Sequence, residues 1–584
     1  MSVLCVKITS QSKKYKKKYS NNNMHFQNPN PSESRAIVPV PDELKNYDND
    51  TLAGKASKSK QNKELVRTAM DADHRPHREM VRRTRILFDS IRVSGLLEEE
   101  NNRKNKKYLK ASSLINQTEE VNNSRVRNDL KAATLMNDHG MYLYNDVKII
   151  GPVPGVCIGD IFLYRSEMCV IGLHGQLQAG IDYLHASMSS NGKPIATSVV
   201  VSDGYNDDDQ GDRIIYSGHG DVKQDQKLER GNLAMVTSMQ QEIDVRVIRG
   251  FRYEGGTSST SKVFVYDGLY KIIEYWFEKG ISGFGVYKFM LSRVQGQPKM
   301  GSMILKEASM LKRGQLCDNP MYVLSADISN GKENIGVRLY NDIDSDLYPM
   351  QFEYLPKAAF PKFLLPYSMT ERKKKRVMEC SECVDGCVSS IMNGNTFSYS
   401  KSGILLKGRS LIYECGPFCS CPSHCRNRVT QKGIKYRLEV FRSNETSWGV
   451  RSLDPILAGT FICEFTGLVL TREQAEILTM DGEQNSLIIY PNRFLNRSTQ
   501  EWGDLSMIDA NYVHPAYRPL DFALDVSMMR NVASYISHSP TPNVFVQLVL
   551  FDHGNWMFPH LMVFAMENIP PMRELSLDHG VEAG

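Results

Sequence analysis

Apolar and polar positions divide the chain into stretches of different period. Between about residues 75 and 100, Val81, Thr84, Phe88 and Ile91 recur three and four apart, which lines one face of an α-helix. The polar run LEEENNRKNKK (97–107) predicts the end of that helix. A second short helix is predicted over 126–139, with Gly140 as its stop. Two helices of this size need a covering surface, either a neighbouring domain or a second copy of themselves. From 148 to 300 the period falls to two. GPVPGVCIGDIF (151–162) opens this region with Gly/Pro punctuation, and TSVVVS, RIIYSG, VRVIRG, KVFVYDGLY and YKFMLSRV follow as short alternating segments. They predict a β-rich domain that ends near residue 298. Residues 301–370, with LSADISNGKENIGV, read as a linker and the start of the C-terminal region. After Arg428, the segments YRLEVF, GTFICEF, FVQLVLF and MVFAM predict an irregular β domain over 431–584. The expected fold class is multidomain α+β, without internal repeats.

Composition changes this picture little. A length of 584 residues suits three or four domains, and 41% apolar residues suffice for ordinary cores. The net charge of +5 is small for this length, so basic character resides in local runs. Residues 1–60 are rich in Lys, Asn, Ser and Pro without apolar periodicity and are expected to be disordered. Their KKYKKK (13–18) is either a nuclear-import or nucleic-acid contact, or a solvated tail. RKKKR (372–376) is read as a nuclear signal, with a basic linker or DNA contact as alternatives. The first twenty residues carry Lys7, Lys13 and Lys14 and lack an uninterrupted apolar core, so they make a poor secretory signal; no run of eighteen apolar residues exists, so no membrane span is expected.

The cysteines carry the clearest chemistry. Seven of the twelve lie in CSECVDGC (Cys380, Cys383, Cys387) and CGPFCSCPSHC (Cys415, Cys419, Cys421, Cys425). Secreted proteins spread cysteines to staple loops, whereas intracellular ones cluster them for metal. Separations of two to four suit tetrahedral thiolate zinc, structural because no ligand position remains for water.

The β-rich stretch resembles the SET- and RING-associated (SRA) domain, a module that binds methylated DNA. The resemblance rests on GPVPGVCIGD, IGLHGQLQAGIDY, SDGYNDDD, IIYSGHG, DQKLERGNLA, VRVIRG, VYDGLY and KFMLSRVQGQP, in family order. It implies a curved, barrel-like sheet that takes one cytosine out of the duplex. An extruded base needs flat rings in place of its lost stacking and partners for its pairing edge. Tyr205 and Tyr216 stand where the family places its two sandwiching tyrosines. Asp207 and Asp208 are both candidates to accept from the cytosine N4 amine. Ser217 lies beside the implied methyl pocket, and Gln178 is a candidate finger for the gap left in the duplex.

LIYECGPFCSCPSHCRNRVTQKGIK resembles the pre-SET domain of suppressor-of-variegation histone lysine methyltransferases, which binds three zincs with nine cysteines. Seven thiolates suffice for two zincs sharing one sulfur; His424 or Asp385 are alternatives that would help hold a third. SWGVRS, GTFICEFTG, ASYISHSPTPN and NIPPMRELSLDHG resemble the SET domain, a lysine methyltransferase fold that uses S-adenosylmethionine. In that family a tyrosine hydroxyl orients the amine, and here Leu577 and His579 occupy the two tyrosine positions. Ser537 and Pro540 replace a cofactor asparagine and a zinc cysteine, while His538 and Asn543 remain. The chain ends at Gly584 with no cysteine beyond Cys463, unlike family members with a cysteine-rich post-SET tail.

The combination resembles the non-catalytic plant subclass of these homologues. That implies a nuclear, chromatin-bound reader of methylated DNA, without S-adenosylmethionine, that recruits the plant-specific RNA polymerase of RNA-directed DNA methylation through a chromatin-remodelling complex. The alternative is an active histone H3 lysine 9 methyltransferase, for which His579 is the one candidate base. A third reading makes the C-terminal modules a structural plate behind the DNA module. Homodimerisation through the 75–140 helices stays open.

Overall fold

The structure is a computed structural model that describes residues 64–69, 74–112, 127–189, 192–202, 208–221, 223–252, 262–315, 321–347, 351–363, 388–394, 396–417, 419, 421–445, 447–480, 487–495, 502–509, 516 and 518–580. The tail of 1–60, its KKYKKK run and RKKKR lie outside the described residues. No described helix is long and apolar enough to cross a membrane.

Helix α1 (Arg75–Ser112) runs through the polar segment expected to end it. Glu, Lys, Arg and Asn in that segment carry no helix-breaking chemistry, since none of them is Pro or Gly. Helix α2 (Asn128–Asp138) ends as expected, with Gly140 at φ +68°. The expected face of Val81, Phe88 and Ile91 is buried, and along its length α1 meets three cores. Val81 packs with Ile149, Val153 and Phe162, whereas Ile86 joins Tyr399, Leu405 and Trp502. Phe88 and Ile91 meet Ala132, Ala133 and Met136 of α2. The helices are thus covered by neighbouring domains of the same chain. A strand the sequence did not signal, Glu64–Arg67, pairs in parallel with Val147–Ile150.

The N-terminal domain is an eight-stranded sheet. Its strands run in the order Ile181–Leu184, Ile195–Ser202, Val245–Arg252, Lys262–Lys279, Gly285–Arg293, Arg213–Ser217 and Asp208–Asp209, with Ile161–Phe162 on the long central strand. Irregularities at Asp182/Tyr183, Val247/Ile248 and Met290/Leu291 bend the sheet. Helix Arg230–Gln240 packs Ala234 and Met235 against Val199, Val247, Tyr270 and Phe289.

The C-terminal domain holds a ten-stranded sheet. Leu438–Ser443, Ser447–Ser452, Glu574–Leu577, Val544–Leu550, His560–Ala565 and Phe461–Phe465 follow one another across it. The stretch read as a linker supplies helix Gly301–Lys312 and strands Val323–Ser325 and Arg338–Tyr340. The last of these pairs in parallel with Leu438–Ser443.

A buried ionic network joins the two domains through α1. Arg78 meets Asp160 at 2.6 Å and Glu567 at 3.0 Å; Arg85 meets Glu167 at 2.8 Å; Arg82 lies 3.6 Å from Glu567. Arg573 of the C-terminal domain also binds Asp160. Burial alone would push the Asp160 carboxyl up, but Arg78, Arg573 and Arg85 hold it well below the usual range.

Candidate functional site

The candidate base pocket lies at the edge of the N-terminal sheet. Tyr216 stands opposite Phe289 on the strand pair Arg213–Ser217/Gly285–Arg293. Its side chain is 6% exposed, so the ring is a core aromatic with little free surface in this state. The Tyr216 hydroxyl abuts Gly180, where an added Cβ would fall 2.4 Å from the phenolic oxygen. Gly180 follows Gln178 by two residues, so the fold brings Tyr216 and the candidate finger together.

The finger loop is pinned at both ends. Arg165 Nη1 donates to the carbonyls of Gln178 (2.9 Å) and Ala179 (2.7 Å). His174 bridges Ser198 Oγ (2.9 Å) and the Ala179 carbonyl (3.0 Å); burial pushes its pKa down to about 4, so the ring is neutral. At the other end, Asp182 accepts from Gly175 N–H (3.0 Å) and pairs with Lys148. Burial would raise the Asp182 pKa, but Lys148 and His174 hold it well below the carboxylate range. Between these anchors Leu177 and Gln178 are exposed.

Tyr205 and Asp207 lie outside the described residues. Asp208 opens the two-residue strand Asp208–Asp209 and pairs with Ile215 through its backbone. The neighbouring Asp209 carboxylate is already committed, taken by Arg249 Nε at 2.7 Å and Nη2 at 2.9 Å, while Arg249 Nη1 reaches Asp267 at 2.6 Å. Ser217 Oγ accepts from Lys288 Nζ at 2.8 Å across the strand pair. Sequence reasoning missed Arg249, Lys288 and Gly180. A signal existed for Arg249, one of two arginines, with Arg246, set among the apolar residues of VRVIRG.

In the cysteine-rich segment, the Sγ atoms of Cys415, Cys421 and Cys425 lie within 4.8 Å of one another and are buried. Cys419 hydrogen-bonds Cys415, and that contact, followed by burial, raises its pKa. Donors surround these sulfurs. Asn427 N–H is 3.3 Å from Cys425 Sγ, Asn427 Nδ2 is 3.6 Å from Cys415 Sγ, and Arg428 Nε and Nη2 are each 3.4 Å from Cys421 Sγ. Convergent soft ligands with N–H donors behind them fit thiolate zinc. Cys380, Cys383, Cys387 and Asp385 lie outside the described residues. His424 is exposed and is not part of the converging group.

In the C-terminal domain, a cavity of about 530 Å³ is lined by Trp448, Phe465, Arg530, Tyr535, His538 and His579, among others. Leu577 is 1% exposed and packs in the core, where it offers no hydroxyl. The His579 ring is bonded through Nε2 to the Ile536 carbonyl at 3.0 Å, and burial pushes its pKa down. Asn543 is spent on structure: Nδ2 donates to the Glu574 carbonyl (2.8 Å) and Oδ1 accepts from Ser576 N–H (2.8 Å). Ser537 Oγ donates to the Leu575 carbonyl at 3.3 Å.

Known proteins share this arrangement. Residues 149–297 match the SAD/SRA domain, 329–428 the pre-SET motif and 447–580 the SET domain. The histone-lysine N-methyltransferase family member SUVH9 of Arabidopsis thaliana is 49% identical over 526 residues, covering 87% of this chain and 76% of its own. The chain belongs to the SUVH histone-lysine N-methyltransferase family. SUVH2 of Arabidopsis thaliana is 47% identical over 562 residues, with 94% and 82% covered. The crystal structure of SUVH9 superposes with a TM-score of 0.72 over 87% of this chain and 99% of that one, at 48% identity. That of KRYPTONITE with mCHG DNA and SAH gives 0.64 at 30% identity, over 87% and 95%. The pre-SET match of 329–428 begins well before the cysteines and takes in the Arg338–Tyr340 strand of the C-terminal sheet.

Proposed function

We propose that this chain is a nuclear, chromatin-bound reader of methylated DNA whose SET domain does not catalyse. Its base pocket holds an everted 5-methylcytosine between Tyr205 and Tyr216, with Asp207 or Asp208 on the N4 amine and Gln178 in the vacated stack. The observation that carries this reading is the packing of the Tyr216 hydroxyl on Gly180, beside an exposed Gln178 on a pinned loop. KRYPTONITE, of the same architecture, was crystallised with methylated DNA. Stacking a base on the Tyr216 ring requires the ring to leave part of its present cover, so base entry and ring exposure are coupled. An aromatic platform contributes about 1–3 kcal/mol per base. Tyr216→Ala and Tyr205→Ala should therefore each weaken binding of a methylated duplex roughly five- to hundredfold at fixed salt, with little effect on unmethylated duplex. Parental methyl-specific binding by both variants would sink the pocket assignment.

Catalytic silence is supported by Leu577 in place of a hydroxyl, by the engagement of His579 with Ile536, and by the commitment of Ser537 and Asn543 to backbone groups. A positioned acid–base group is worth about 10²–10⁴ in rate, so several such losses together leave no measurable turnover. S-adenosylmethionine is not expected to bind. In this reading the protein brings the RNA-directed DNA methylation machinery to silent loci, which co-precipitation of the plant-specific polymerase's remodelling complex would test.

One feature favours a second reading, an active histone H3 lysine 9 methyltransferase: the cavity beside Tyr535, His538 and His579. Purified protein incubated with labelled S-adenosylmethionine and histone H3 decides between them. Transfer above background would establish the enzyme.

A further inference from the structure

Within the C-terminal sheet, Asp552, His553 and His560 bring three ligand atoms within 4.8 Å of one another. His560 Nε2 is 2.9 Å from Asp552 Oδ1, and His553 Nε2 is 3.8 Å from the same oxygen. A tetrahedral ion with bonds near 2.0–2.1 Å needs its ligand atoms about 3.3 Å apart, which these separations bracket. The group forms where the hairpin of Val544–Leu550 and His560–Ala565 turns, and none of the thiolates is among its ligand atoms.

The second nitrogen of His560 is held as a metal-bound imidazole would require. Its Nδ1 lies 2.8 Å from Glu464 Oε1, an oxygen that also accepts from Ala358 N–H at 3.0 Å. A carboxylate on the far nitrogen fixes the ring and leaves Nε2 for an ion. Phe551 stacks on His560 at 4.3 Å, and Phe360 sets its edge on both imidazoles at 4.8 and 4.9 Å. The cage is dry on these sides and open beside Asp552, whose side chain is 29% exposed.

One simpler account places a protonated His560 between Glu464 and Asp552, as an ion pair. That account leaves the Nε2 of His553 unexplained, its Nδ1 being taken by Asn555 N–H at 3.3 Å. Its side chain is 0% exposed, and its Nε2, aimed at the same oxygen, makes no hydrogen bond among the described residues. A buried donor or acceptor without a partner costs about 1–3 kcal/mol. It also leaves two carboxylates facing one cation, whereas a divalent ion would balance both.

We propose that Asp552, His553 and His560 bind a divalent transition metal ion of the zinc class, with Glu464 as the positioning carboxylate and a fourth position open beside Asp552. Two imidazoles and one carboxylate suit zinc better than magnesium or calcium, which prefer oxygen-only sites. The ion would clamp the hairpin turn to the Phe461–Phe465 strand, independently of the cysteine cluster.

The test compares metal content of the purified full-length protein with that of His553→Ala and Asp552→Asn, by elemental analysis after exhaustive dialysis. Each variant should carry one zinc fewer per chain than the parent. In cobalt-substituted protein, the lost absorption should be weak visible d–d bands without sulfur-to-cobalt charge transfer, which separates this site from the thiolates. Should His553→Ala fail to fold, Asp552→Asn, at the open side, decides. Equal zinc content in the parent and a folded variant would overturn the proposal, as would a difference spectrum dominated by thiolate bands.

Discussion

Glu567→Gln tests the junction between the two domains, because it preserves shape and removes one charge. The Glu567 side chain is 1% exposed and accepts from Arg78 Nη2 at 3.0 and 3.1 Å, with Arg82 at 3.6 Å and Arg85 at 3.9 Å. In the parent, the guanidiniums of Arg78, Arg82, Arg85 and Arg573 face the carboxylates Asp160, Glu167 and Glu567; in the variant they face only Asp160 and Glu167. Breaking one partner of a buried pair costs about 3–5 kcal/mol. A separate route gives a similar figure. Burial alone would raise the Glu567 pKa, yet Arg78, Arg82 and Arg85 bring it from 4.5 to about 2. At about 1.36 kcal/mol per pH unit, that is roughly 3 kcal/mol at neutral pH. The sign follows from a folded-state pKa below the unfolded one. The contribution is complete above about pH 4.5 and fades as pH falls toward 2. Because α1 bridges the domains, the loss should appear first as local opening. Hydrogen exchange of α1 amides over 81–93 should accelerate on the order of a hundredfold at pH 7. The gap in urea midpoint between parent and variant should narrow as pH drops below 4.5. Less than about tenfold acceleration in a folded variant, or a gap unchanged from pH 7 to 3, would refute the reasoning.

Gly180→Ala should push the Tyr216 ring aside, since the new methyl carbon would sit 2.4 Å from its oxygen; methyl-specific DNA binding should fall while circular dichroism stays parental. Asp182→Asn removes the charge that pairs with Lys148 and weakens the grip on Gly175 N–H, so duplex affinity should drop. Because the Asp182 pKa is held low, the parent's advantage in stability over this variant should be present at neutral pH and shrink on acidification, measured by thermal melts across pH. Cys421→Ser should lower zinc content and melting temperature together, whereas Cys157→Ser, at an exposed thiol, should change neither.

Strands were legible where β-branched and aromatic residues ran together, in segments buried on both faces. KVFVYDGLY and FVQLVLF became Lys262–Lys279 and Val544–Leu550, and the Gly140 stop appeared where glycine allows a positive φ. The thiol cluster was legible for another reason: Cys415, Cys421 and Cys425 lie close in sequence, so local spacing already constrains their geometry. Asp552, His553 and His560 gave no signal, because DHGNWMFPH looks like a polar turn until Val549 is known to pair with His560. Nor did the local pattern announce that Arg82 and Arg85 are buried, at 6% and 2% exposure. A solvated arginine and a buried one are the same letter. What separates them here is a carboxylate 489 residues away from Arg78, which no local pattern can announce.

That distant pairing bears on what the C-terminal half is for. The α1 arginines meet Asp160 and Glu167 on the DNA-module side and Glu567 on the SET side, in one continuous buried network. Burying Arg82 and Arg85, with Arg78 and Arg573 mostly covered, is favourable only while their partners are present. Deleting the SET domain would therefore strip Glu567 and Arg573 from a network that also fixes Asp160, within the GPVPGVCIGD turn of the DNA module. The C-terminal domain would brace that turn whether or not it catalyses.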